Sequence, residues 1–274
     1  MCPQAGKTRL FSNYIIGQDF NGELSMTSNE IKILGSKLHT FSMAQCLDII
    51  STGIEQGRAL HVITLNAEMA YQARRNPELL KVINQADLVT ADGIGVVWGA
   101  RHLGYTVPER VTGIDLMNNL AERAARQGWR LYLLGAAPGI ADEAARQLQQ
   151  RWTGLLIAGR HDGYFTTAQI PQIVAQINAS QADILFVALG APKQEYFIRD
   201  YRHQLQAPVM IGVGGSLDVI AGAKKRAPQF FIRWNLEWLY RLLSEPSRFK
   251  RQMILPLFVS AILLQGLKSR QLRN

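Results

Sequence analysis

Cysteine is scarce: the 274-residue chain carries only Cys2 and Cys46. Two thiols cannot build a disulfide framework or a four-cysteine zinc site, and so few predict a reducing, intracellular setting. No G-x-x-x-x-G-K-[ST] occurs, which argues against a P-loop NTPase. There is no Asp-x-Asp pair and no G-x-S-x-G, and His39, His61, His102, His161 and His203 are scattered with no i, i+4 pair. A metal site and a serine nucleophile elbow are therefore not expected. Long apolar runs are missing as well. The longest, residues 253–264, is interrupted by Pro256 and Ser260 and falls short of the roughly 20 residues a membrane span needs. Residues 1–30 lack the apolar core of a signal peptide and read as a frayed extension. The expectation is a protein made and kept in the cytoplasm.

The chain does have ample apolar material, 47% hydrophobic against 19% charged. That excludes a disordered or collagen-like chain and supports a sizeable core. Its net charge of +9 is unevenly placed. Residues 224–274 hold eleven Lys/Arg and two acids, so the whole excess lies there and residues 1–223 are neutral. A neutral body with a basic tail calls for an acidic surface, either lipid headgroups or nucleic acid.

Apolar runs predict strands near 31–38, 60–65, 87–91, 130–135, 154–159, 183–189 and 209–213. Helical patterns fall between them at 42–56, 66–75, 77–85, 94–103, 113–126, 140–152, 168–179 and 193–204. The run Ile184-Leu185-Phe186-Val187-Ala188-Leu189 is apolar on both faces, as a parallel sheet covered by helices requires. The alternation predicts an α/β fold, a doubly wound, Rossmann-like and mostly parallel sheet over residues 31–223. Residues 224–274 break the pattern. Phe230, Phe231, Trp234, Trp238 and Leu242 recur at helical spacing among Arg233, Arg241 and Arg248, which predicts two or three short amphipathic helices appended to the body.

In doubly wound sheets ligands bind beyond the carboxyl ends of the strands, and polar or glycine-rich residues stand at those ends here. Thr64 and Asn66 end one strand, to face a ligand or to cap the next helix. Asp92 directly follows a buried strand, as a carboxylate available for general-base work or as a helix cap. Gly93, Gly95 and Gly99 give a weak dinucleotide-turn signal. Gly135-Ala136-Ala137-Pro138-Gly139 opens a helix whose amides can hold a phosphate. Asp162-Gly163-Tyr164-Phe165 offers a ring that could stack a base. Gly190-Ala191-Pro192-Lys193-Gln194-Glu195 places Lys193 and Gln194 at a helix start. Gly212-Val213-Gly214-Gly215 allows close backbone approach to a ligand, with Asp218 just beyond. Together they favour a nucleotide or nucleotide-sugar site over a bare scaffold.

These motifs, with Arg110-Val111-Thr112-Gly113-Ile114-Asp115 and Arg226-Ala227-Pro228, resemble the WecG/TagA/CpsF glycosyltransferase family over about residues 33–251. The resemblance implies inverting transfer of N-acetylmannosamine from UDP to N-acetylglucosamine on undecaprenyl diphosphate, as in teichoic-acid or related cell-surface polysaccharide synthesis. It implies Asp92 as the base, with Thr64, Asn66 and Arg110 beside it. Gly135, Tyr164, Gly190, Gln194, Gly214 and Asp218 would hold the UDP-sugar. No cofactor or metal is implied, so cations must offset the leaving diphosphate. Arg110 and Lys193 are candidates in the body, and Arg241, Arg248 and Arg251 in the tail. Arg241 and Arg248 lie about two helical turns apart, on one face if the helix continues through Pro246.

The implied partners are the UDP-sugar, the polyprenyl-diphosphate-linked acceptor and an anionic membrane surface at the cytoplasmic face. The tail would meet that surface as an interfacial segment carrying Phe230, Phe231, Trp234, Trp238, Phe249 and Phe258. On this reading, truncation near Ala223 leaves a folded body without membrane binding or transfer. Packing of the tail on the body, or a homo-oligomer, would use the aromatics instead. Their abundance argues against nucleic acid. Other donors, UDP-N-acetylmannosamine uronate or UDP-glucose, remain open, and an NAD(P)-dependent oxidoreductase is the alternative of another class.

Overall fold

Strand β3 (Leu60–Leu65) is buried at every position, and so is β7 (Ile184–Ala188). Strands without an exposed face must lie inside a sheet covered on both sides. In the computed structural model, which describes residues 29–234, 236–244 and 253–271, they do. β4 (Leu88–Ala91), β5 (Arg130–Gly135), β6 (Leu156–His161) and β8 (Val209–Gly212) join them in a six-stranded sheet of order β4-β3-β8-β7-β5-β6. Every pairing is parallel. This is the doubly wound, Rossmann-like α/β architecture that the alternation predicts.

Helices α1 (Met43–Glu55), α5 (Gly113–Gln127), α6 (Ile140–Arg151) and the short α9 (Ser216–Ile220) share one core with the sheet. On the other face α2 (Ala67–Ala73), α3 (Pro77–Gln85) and α4 (Ile94–His102) form a second core, and α7 (Ile170–Ala179) with α8 (Lys193–Tyr201) a third. The step from β3 to β4 runs to one edge of the sheet and that from β5 to β6 to the other. A crevice is expected at the carboxyl ends between them.

Three expectations change. Residues 31–38 form a hairpin, β1 (Glu30–Ile33) paired antiparallel with β2 (Ser36–His39). Leu34 and Gly35 both take positive φ at its turn, which a single strand would not allow. The hairpin guards the sheet: the His39 ring accepts from the Val89 amide at 2.9 Å, satisfying a donor on edge strand β4.

The second change concerns the tail. Short helices α10 (Gln229–Arg233) and α11 (Glu237–Ser244) are followed by α12 (Ile254–Gln271), which has 18 residues. Pro256 lies in the first turn of α12, where a missing amide costs no hydrogen bond. Phe258, read from the sequence as an interfacial aromatic, is only 1% exposed. It packs with Ala261 and Ile262 into the core of α2–α4. Gly99 makes this possible, because a Cβ there would stand 3.2 Å from the Phe258 ring and 3.3 Å from Ile262. Gln265 fastens the helix to the hairpin, accepting from the Leu34 amide at 2.9 Å and donating to the Lys32 carbonyl at 3.2 Å.

The third change follows from the second. A Cβ on Gly95 would stand 3.0 Å from the Ala67 methyl, so Gly95 and Gly99 serve close packing of α4 against α2 and α12. Two of the three glycines in the G-x-G-x-x-x-G pattern thus have a packing explanation, while Gly93 stands at the start of α4. Among the described residues no helix is long and apolar enough to cross a membrane.

Candidate active site at the carboxyl edge of the sheet

Four strands deliver polar groups to one place, and Gly113 is its centre. A Cβ on Gly113 would lie 3.3 Å from Thr64 Oγ1, 3.6 Å from Ser216 Oγ and 3.6 Å from the Val213 backbone. The start of α5 therefore meets the ends of β3 and β8. Thr64 is buried and donates to the Gly212 carbonyl at 3.2 Å. Asp92 follows β4, held by its amide bond to the Leu65 carbonyl at 2.8 Å. Its Oδ2 accepts from the Gly113 amide at 3.3 Å. Gly93, with φ 100, occupies the cap position of α4, so Asp92 is not that helix's cap. Its half-buried carboxylate stands at the opening of α5 instead.

Asn66 does act as a cap, accepting from the Met69 amide at 2.9 Å. Arg110 belongs to the segment alongside β4, where Val111 donates to the Ala91 carbonyl and Thr90 to the Val111 carbonyl. The Arg110 guanidinium pairs with Glu237 of α11 at 3.1 Å, and the two side chains are 16% and 11% exposed. A second ion pair, Arg226 with Asp115, ties the start of the tail to α5. Thr112 caps α5 and bonds the other Asp115 oxygen.

From β7 the chain turns through Gly190, φ 76, into α8. Gln194 is buried, and its Oε1 accepts from the Gly214 amide at 3.0 Å. Its Nε2 donates to Glu195 Oε1 at 2.8 Å. Burial pushes the Glu195 carboxyl up to about 7, against the opposing pull of the Gln194 amide. Lys193 points outward and is exposed. Asp218 lies in α9, 3.9 Å from the Lys224 ammonium.

At the other half of the edge, Gly135 takes φ +128. A Cβ there would lie 2.5 Å from the Ala188 carbonyl, so β5 can end beside β7 only with glycine. Gly163 packs on Gly135 and donates to the Ala136 carbonyl at 2.8 Å. Tyr164 stands 76% exposed on this loop. A cavity of about 420 Å³ opens here, lined by Gly139, Asp142, Arg160, His161 and Asp162.

Thr64, Asp92, Gln194 and Gly214 thus converge, with Arg110 on the segment that continues into α5. Gly135, Gly190, Tyr164 and Asp218 stand along the same edge. Arg241 lies on α11, while Arg248 and Arg251 fall outside the described residues. Ser216, Glu195 and Glu237 were not singled out from the sequence. For Glu237 a signal existed, since it is one of two acids in an otherwise basic tail. No cluster of three or more His, Cys, Asp or Glu side chains suited to a metal occurs among the described residues.

A parallel doubly wound sheet with a carboxylate, a hydroxyl and an amide gathered beyond its carboxyl ends defines an α/β enzyme of the kind that holds its substrate at the strand ends. The profile of the family described as "Glycosyl transferase WecG/TagA/CpsF family" matches residues 31–272. The chain belongs to that family and is a glycosyltransferase. A relative from Bacillus spizizenii is 37% identical over 235 residues, covering 86% of this chain and 89% of the relative. One from Staphylococcus aureus strain MW2 is 36% identical, covering 85% and 92%. Both bear the name N-acetylglucosaminyldiphosphoundecaprenol N-acetyl-beta-D-mannosaminyltransferase.

Proposed function

We propose that this glycosyltransferase moves N-acetylmannosamine from UDP to N-acetylglucosamine carried on undecaprenyl diphosphate, with inversion and with Asp92 as base. The carrying observation is the placement of Asp92: a carboxylate at the end of a buried strand, not spent on capping α4, beside Thr64 and the glycine turn of β8. The Asp92 carboxylate takes the proton of the acceptor's 4-hydroxyl. That oxygen attacks the anomeric carbon from the face opposite UDP, and the bond to the diphosphate oxygen breaks with its electron pair leaving on UDP.

Growing charge on the diphosphate calls for cations. Arg110, paired with Glu237, is nearest Asp92 in sequence among the candidate cations, and Lys193, Arg241, Arg248 and Arg251 extend the set. No metal takes part on this reading. Tyr164 and Asp218 contact the uridine part.

The enzyme works as a peripheral protein at the cytoplasmic face, because its acceptor is lipid-linked. Phe230, Trp234, Trp238, Leu257, Leu264 and Leu267 are exposed on the tail helices, beside the tail's excess of basic residues, as an interfacial segment requires.

The test is UDP release with UDP-N-acetylmannosamine, its uronate and UDP-glucose on a short-chain lipid-diphosphate N-acetylglucosamine acceptor, with and without EDTA. Turnover with the first donor, undiminished by EDTA, is expected. Preference for another donor refutes the sugar, and loss in EDTA refutes the metal-free reading. Asp92→Asn should lower kcat by about 10²–10⁴ while still binding UDP. Wild-type turnover by that variant removes the base assignment.

A further inference from the structure

Gln194 and Glu195 are adjacent, both buried, and both in the first turn of α8. Gln194 is 2% exposed and Glu195 is fully enclosed. A backbone amide can only donate, so the Gln194 atom facing Gly214 N at 3.0 Å must be its carbonyl oxygen. The amide nitrogen is then the atom facing Glu195 Oε1 at 2.8 Å. That leaves one hydrogen of the nitrogen for another acceptor. The arrangement also leans on Gly212, where a Cβ would come within 2.5 Å of Gln194 Nε2 and 3.0 Å of Glu195 Oε1. The Gly212 carbonyl receives the Thr64 hydroxyl. One polar chain therefore runs from Thr64 through the end of β8 to Gln194 and ends on Glu195.

Glu195 is costly where it stands. Its Oε2 is buried and has no hydrogen-bond partner among the described residues. A leucine of similar volume would remove that cost, since an unpaired buried polar group is destabilising. What the carboxyl supplies in return is an acceptor for Gln194. Without it, the Gln194 amide would lose the bond that fixes its nitrogen.

We propose that Glu195 is a positioning residue for the transfer reaction: its carboxyl locks the Gln194 amide so that the carbonyl oxygen holds the β8 glycine turn and the free N–H meets a substrate oxygen. This rests on the reading that Gln194 lies in the substrate site. The Glu195 carboxyl accepts from Gln194 through Oε1, and burial favours its uncharged form more than for an ordinary carboxyl. Among the described residues no charge partner offsets it: α8 packs on α3, β3 and β8, whose titratable residues are Glu78, Lys81 and His61, and none of these, nor Lys193, Arg199 or Asp200 of α8, acts on it as strongly as burial and the Gln194 amide.

The experiment compares Glu195→Leu, Glu195→Gln and Gln194→Ala, alone and combined, in the UDP-release assay with the donor that turns over. Glu195→Met serves if the leucine variant does not fold. Glu195→Leu should melt no lower than wild type yet lose tenfold or more in kcat with little change in KM. Glu195→Gln keeps the acceptor and should restore activity to within threefold. In the Gln194→Ala background, both Glu195 variants should have equal activity.

A fully active Glu195→Leu alongside an impaired Gln194→Ala overturns the positioning role and leaves the site reading standing. Equal losses for the leucine and glutamine variants, additive with Gln194→Ala, also overturn it. A fully active Gln194→Ala overturns the site reading at that residue, and the proposal with it.

Discussion

Replacing Phe258 by alanine asks whether α12 belongs to the folded body. The ring is 1% exposed and sits in one core with Ala70, Val96, Val97 and Ile262. Its tip abuts the backbone of α4 at Gly99, which has no side chain with which to fill a void. Collapse is therefore limited, and the loss should fall in the usual range for a buried Phe→Ala change, about 3–5 kcal/mol. Each kcal/mol shifts the midpoint of a domain this large by roughly 2–4 °C, so a drop on the order of 10 °C is expected by calorimetry. Gly99→Ala supplies a cross-check. In the wild type its methyl would meet the ring at 3.2 Å and destabilise, whereas in the Phe258→Ala background it enters the space the ring has left. The two changes should therefore couple favourably. The same packing revises the expectation that truncation near Ala223 leaves the body intact. Truncation removes Phe258, Ala261 and Ile262 from the core, exposes the groove between α2 and α4, and should lower the midpoint and promote aggregation. A shift below 2 °C for both Phe258→Ala and the truncation would refute this reasoning.

Gly135→Ala needs a positive φ and places a methyl 2.5 Å from the Ala188 carbonyl; it should cost at least about 2 kcal/mol in denaturant melts and weaken UDP binding. Glu237→Ala strips Arg110 of its partner, and a double-mutant cycle with Arg110→Ala should give a coupling of about 0.5–3 kcal/mol; strict additivity would mean the pair contributes nothing. Burial, helped by the charge of Lys37, holds the His39 ring down at about 4. The unfolded ring titrates near its usual 6.5, so the unfolded state binds more protons between those values and stability falls as pH drops from about 6.5 towards 4, by up to roughly 3 kcal/mol for this ring alone. His39→Gln keeps an acceptor for the Val89 amide without titrating, and its stability profile should be flatter across that window.

Strands β3 and β5 and helix α3 were legible from sequence because each is a buried or periodic run with a turn or cap at both ends. The hairpin was not, since Ile31, Ile33 and Leu38 read as one apolar run unless the turn at Leu34-Gly35 is recognised. At the site, glycines and acids that directly follow strands announce themselves, which is why Asp92, Gly135 and Gly214 could be named. Glu237 showed only as a lone acid in a basic tail, because its partner Arg110 lies 127 residues away; Glu195 adjoins Gln194 in sequence, and what hid its role is its burial against β8, where a Cβ on Gly212 would come 3.0 Å from its Oε1. The tail poses a harder problem. Helix α12 is apolar nearly all round, with Phe258 and Ile262 buried while Leu257 and Leu264 stand exposed. Sequence cannot say which of these faces the body, because both sets are made of the same residue types. Only the small residues opposite decide it: Gly99 and Ala100 on α4, with Ala67 and Ala70 on α2, admit one face and leave the other outward. That outward face is what a lipid surface would use. The tail can therefore be part of the core and meet a membrane at once, and the two readings kept apart at the sequence level are compatible along a single helix.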